Sequence, residues 1–162
     1  MKRFIILLGL LMIMPLQAVA EIVVEDAWVR LPPPVADTAA GYMTIHNYAD
    51  QDVEITNVTT AIATNPEFHA MEMHNGMMHM QKMEKVVVPA HGGISFDPGG
   101  NHLMLVGLTR TIKTGEHLMI TLETSDGQSI MVHAEVRDMR SNNKHDDQDS
   151  DDDSHGHHGM HH

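Results

Sequence analysis

From Ile22 to Val136 the chain shows no amphipathic helical stripe of ten or more residues; it reads as short alternating apolar runs cut at close intervals by turn residues. That punctuation leaves an all-β domain, because strands of a few residues joined by tight turns can bury an apolar face only in a sandwich or a Greek-key barrel. The predicted strands are Ile22 to Val24 with Trp28 to Arg30, Gly41 to His46, Val53 to Thr60, Phe68 to His74, Met77 to Met83, Val86 to Val88, Gly93 to Phe96, His102 to Val106, His117 to Glu123 and Ser129 to Val136. Pro32-Pro33-Pro34, Asn65-Pro66, Asn75-Gly76, Asp97-Pro98-Gly99-Gly100, Thr114-Gly115 and Asp126-Gly127 supply the predicted turns.

Two flanks differ from this body. Residues 1–20 carry Lys2 and Arg3, an apolar run from Phe4 to Met14, and an Ala18-x-Ala20 ending, the pattern of a cleaved secretory signal. The run is shorter than the roughly 20 residues a spanning helix needs, so the expectation is an exported, periplasmic protein with no membrane insertion after cleavage. Beyond Arg140 the composition shifts to Ser, Asn, Asp, His and Gly, which cannot bury enough surface to offset ordering entropy; residues 141–162 are therefore expected to be a disordered tail, and 21–140 the folded domain.

Composition excludes several functions. The formal charge is −12, and losing the two cations Lys2 and Arg3 with the signal makes it −14, so a nucleic-acid partner is not expected. With no cysteine, disulfides, iron–sulfur clusters, thiolate zinc sites, blue-copper centres and a lipobox anchor all fall away. No Gly-x-Ser-x-Gly elbow or His-Glu-x-x-His motif is present, and the chain is not expected to be an enzyme.

The softest donors that remain are concentrated. "HAMEMHNGMMHMQKM", residues 69–83, holds six of the 15 methionines and three of the 14 histidines around one Asn-Gly pair. A type I′ turn at Asn75-Gly76 sets the register: His74 against Met77, Met73 against Met78, Glu72 against His79, Met71 against Met80 and His69 against Lys82. One face then carries His69, Met71, Met73, Met78, Met80 and Lys82, with His69 and Met80 as diagonal neighbours. Methionine is a common gap-filler, so this face also reads as core. Against that stand its histidine and a second dyad, His102-Leu103-Met104. Strand alternation there buries the leucines and points His102 and Met104 outward. Thioether sulfur is soft and neutral and selects Cu(I), while imidazole accepts copper in either oxidation state.

His69, Met80 and His102-x-Met104 at this spacing reproduce the copper motif of the periplasmic PCuAC-type copper chaperones. The resemblance extends through "DAWVRLPPP" (26–34), "AGYMTIHN" (40–47), "VVVPAHGGISFDPGGNHLMLVGL" (86–108) and "VHAEV" (132–136), covering the whole folded body. It implies a cupredoxin-like β-barrel without the cupredoxin cysteine, holding Cu(I) through His69, Met80, His102 and Met104; extra donors nearby leave the exact ligand set open, with Met71 the substitute or helper expected from its place on the same face opposite Met80. It also implies delivery of copper to the Cu-A centre of cytochrome c oxidase, alongside Sco-type proteins. His74, His79 and His91 are additional to the family pattern. Some relatives carry a His- and Met-rich extension that takes Cu(II); here His145, His155, His157, His158, His161 and His162 are the candidates, set against a purification tag or a plain acidic terminus. Irregular spacing and Met160 argue against a tag. The main alternative is a copper-buffering or resistance protein with the same ligands, and a non-metal alternative is a recognition module with a Met-rich surface.

Overall fold

The computed structural model describes residues 22–139; the signal segment, Arg140 and the His/Asp-rich tail lie outside the described residues. Ten strands and no helix make up this body: β1 (Ile22–Arg30), β2 (Thr38–Asn47), β3 (Val53–Thr60), β4 (Ala63–His74), β5 (Met77–Lys82), β6 (Val86–Val88), β7 (Gly93–Phe96), β8 (His102–Leu108), β9 (His117–Thr124) and β10 (Ser129–Arg137). They form one sheet in the order β5-β4-β8-β2-β1-β10-β9-β3-β6, with β7 also on β2. Nearly all ladders are antiparallel; β1 and β10 pair in parallel. Apolar residues of every strand except β5 enter one core cluster, so the sheet folds over on itself and buries a single inner face.

The inner face follows the alternation. Leu103 and Leu105 on β8, Leu118, Ile120 and Leu122 on β9, and Val132, Ala134 and Val136 on β10 are buried, while the residues between them face out or lie partly covered. Phe68 of β4 and Phe96 of β7 meet in this core with ring centroids 5.3 Å apart, and full burial of such a side chain contributes roughly 1.5–3 kcal/mol. The outward register of His69, His102 and Met104 is therefore held by the burial of Phe68, Leu103 and Leu105.

Two expectations change. Asn65-Pro66 is not a turn: β4 runs through it from Ala63, paired with β8 at Asn65–Val106 and Pro66–Leu105. The β5 ladder ends at His69–Lys82, so one flank of β4 is unpaired at Pro66, the kind of edge that proline tolerates. Ile22–Val24 and Trp28–Arg30 are one strand, interrupted by a bulge where Asp26 has φ of 44°. Among the described residues no helix is long and apolar enough to cross a membrane.

Candidate metal centre

The β4–β5 hairpin has the register derived from its turn, from His69–Lys82 through Met71–Met80 to His74–Met77. Asn75 and Gly76 both have positive φ, 51° and 79°, as a type I′ turn requires. The alternative of a methionine core does not hold for β5, whose six residues are all exposed, with Met80 at 55% and Met78 at 50%. β5 ends the sheet, and among the described residues only β4 pairs with it.

The step that sequence could not supply is that β8 lies along the other flank of β4. His69 pairs directly with His102, Phe68 with Leu103, and Glu67 with Met104. His69 thus sits at the centre of a three-strand patch, opposite His102 and diagonal to Met104 on one side and Met80 on the other. Met71, opposite Met80, borders the same face. The structure brings together His69, Met80, His102 and Met104 on adjacent strands; the tail histidines 145, 155, 157, 158, 161 and 162 lie outside the described residues. His74 and His79 lie on the hairpin's reverse face with ring centroids 6.4 Å apart. His91 lies apart from both, its Nε2 2.8 Å from Asp50 Oδ1.

The two central rings are 5.6 Å apart at an interplanar angle of 62°. With metal–nitrogen bonds of about 2.0–2.1 Å, two imidazoles on one ion have centroids roughly 4.5 Å apart at a right angle and roughly 6.4 Å apart when linear. The observed spacing falls between these limits and is one that two imidazoles on a single ion can have.

Hydrogen bonds orient each ring. His69 Nε2 lies 3.0 Å from Glu67 Oε2 and, facing a carboxylate, is the nitrogen that donates. Its Nδ1 is then the lone-pair nitrogen, and it is buried with no hydrogen-bond partner among the described residues. An orphaned buried acceptor is costly unless something outside the protein satisfies it, and a cation bound by two imidazoles would. His102 Nδ1 donates to the Gly100 carbonyl at 3.0 Å, leaving Nε2 as its free lone pair.

Glu67 is the residue sequence reasoning missed. Its other oxygen takes the Lys82 ammonium at 2.7 Å, and these bonds from Lys82 and His69 hold its carboxyl below the ordinary carboxylate range. The signal was present: Glu67-x-His69 places the two side chains on one face of a strand, but reading Asn65-Pro66 as a turn ended the strand too soon. Among the described residues no three His, Asp or Glu side chains converge on a possible ion position. The thioethers of Met80 and Met104 adjoin the two imidazoles on these strands, and thioether sulfur favours a soft ion.

Comparisons with known proteins bear on the family and the fold. The LpqE-like family model, a family of candidate lipoproteins, matches residues 22–136. Lxx21020 of Leifsonia xyli subsp. xyli, named as a candidate lipoprotein, is 27% identical over 75% of this chain and 72% of its own. Among solved structures, Cu(I)-DR1885 from Deinococcus radiodurans superposes with a TM-score of 0.62 at 34% identity, covering 76% of this chain and 83% of that one. The copper-bound PCuAC domain from PmoF2 has a TM-score of 0.64 at 24% identity, covering 75% and 96%, and shares the fold. Matched by the family model over residues 22–136, and 34% identical to a relative of which it covers 83%, the chain belongs to the LpqE-like, PCuAC-type family.

Proposed function

We propose that this protein is an exported copper chaperone that carries Cu(I) between His69, Met80, His102 and Met104, with Met71 at the margin, and delivers it to the Cu-A centre of cytochrome c oxidase directly or through a Sco-type partner. The observation that carries the reading is the buried, unpartnered Nδ1 of His69 beside a second oriented imidazole, on a strand face flanked by thioethers. The Cu(I) form of the one-third-identical DR1885 supports the choice of ion.

The arrangement suits carriage. Imidazole and thioether donors are neutral, so the bound ion keeps its single charge, and methionine has no proton to lose on binding. Met80 is 55% exposed, which leaves an approach by which an acceptor's ligands replace it one at a time. No group is required to make or break a covalent bond, in keeping with a carrier rather than an enzyme.

X-ray absorption of the Cu(I)-loaded protein tests the site, with mixed sulfur and nitrogen neighbours expected and the sulfur contribution reduced in Met80→Leu. Retention of full Cu(I) affinity by both Met80→Ala and His102→Ala would remove the site. Transfer to an isolated Cu-A fragment separates delivery from buffering: a sequestering protein would keep its copper. Residues 141–162 are proposed to take Cu(II) through some of their six histidines, with binding at about pH 5 much weaker than at about pH 7.5 because imidazole protonates between.

A further inference from the structure

The outer face of β9 and β10 carries the same donor types a second time. The tripeptide His102-Leu103-Met104 recurs as His117-Leu118-Met119, and β10 presents the reverse dyad Met131-Val132-His133. In each the middle residue is core, Leu103 at 0%, Leu118 at 1% and Val132 at 3% exposed, while His117, Met119, Met131 and His133 face solvent. The β9–β10 ladder sets His133 opposite Met119, Met131 opposite Thr121 and Glu135 opposite His117. His117 and Met131 are therefore the two diagonal neighbours of the His133–Met119 pair, within reach of long side chains. The arrangement differs from that of His69 and His102, which face each other directly, in that His133 faces a methionine.

Packing does not account for the patch. Met119 is 49% and Met131 68% exposed, and the buried neighbours of each already fill the core. Glu135 is held by Arg137 at 3.1 Å and does not engage the opposing His117. Both strands are interior to the sheet, β10 between β1 and β9, and β9 between β10 and β3, so their backbones are fixed on both sides. We infer that Met119, Met131 and His133 form a second site for Cu(I), built from one imidazole and two thioethers; His117 lies four ladder positions from Met131, about 13 Å along the strands, and cannot share the same ion. β2 and β1 lie between β8 and β10 in the sheet, which at about 4.7–4.9 Å per strand puts the two patches roughly 14 Å or more apart along it. One ion cannot serve both, so the second site raises the capacity of the folded body to two.

The test uses the full chain labelled with carbon-13 at its methionine methyls and titrated anaerobically with Cu(I). The expected result is that the Met119 and Met131 methyls shift to a saturating end point, and that a Met119→Leu/Met131→Leu variant binds one equivalent less while Met80 and Met104 respond as before. Leucine keeps the apolar bulk at exposed positions, and an unchanged melting temperature verifies the fold. Met119 and Met131 methyls that stay put while other methionines saturate, or an unchanged copper count in the double variant, overturn the inference. The two sites fail separately: silence at Met80 and Met104 with movement at Met119 and Met131 removes the hairpin site alone, and the converse removes this one alone.

Discussion

Replacing Glu67 by alanine should weaken Cu(I) binding although no proposed donor is touched. Glu67 accepts from His69 Nε2 at 3.0 Å and thereby keeps the lone pair on Nδ1, and it holds Lys82 Nζ at 2.7 Å. Without the carboxylate the imidazole is free to exchange tautomers, and the ammonium is released beside a site meant for a cation. Loss of a partner that orients a metal-binding histidine typically costs 10–100-fold in affinity, and since Glu67 is 26% exposed and water can replace it in part, about tenfold is expected. Glu67→Gln should lose less, because its carbonyl can still accept from Nε2, although it cannot serve Lys82 with a second oxygen. Competition against a chromophoric Cu(I) chelator under anaerobic conditions measures the affinity, and nitrogen-15 shifts of the apo protein report the His69 tautomer. An affinity in Glu67→Ala within about twofold of wild type, or a proton found on Nδ1 of the apo wild type, would refute the orientation argument.

Leu103 stands between His102 and Met104 with no exposed surface; Leu103→Ala should cost about 3–4 kcal/mol in urea unfolding, whereas Leu103→Met should cost under about 1.5 kcal/mol. Gly107→Ala should destabilise more than Gly76→Ala: both glycines have positive φ, but a Cβ at 107 would collide with Thr64 Oγ1, while at 76 it would meet none of the described residues within 4 Å. Equal melting temperatures for the two variants would contradict this. Acid should destabilise the protein, since Glu67, Glu116 and Asp126 are all held below their ordinary values, by Lys82, Arg110 and Thr124 respectively as the leading causes. A depressed folded-state value adds stability above the unfolded value and loses it as pH falls, so the urea midpoint should be flat above about pH 5 and drop below about pH 4.5. A midpoint that rises on acidification from pH 5 would count against these ion pairs and hydrogen bonds.

Local chemistry settled much of this architecture before any coordinates. Asn75-Gly76 admits one low-strain turn, so the hairpin register and the shared face of His69 and Met80 followed from four torsion angles. Alternation around Leu103 and Leu105 did the same for His102 and Met104, because a strand with one buried face has no freedom of register. What remained open was every relation between strands far apart in the chain. That β8 lies against β4, setting His69 opposite His102 and Glu67 opposite Met104, depends on the whole core closing, and no local pattern encodes it. The same holds for β9 and β10, whose His and Met dyads look like ordinary surface residues until the ladder puts Met119 beside His133. Turn and face are decided within a few residues by sterics and burial; convergence of donors is decided by long-range packing, which is a property of the assembled core.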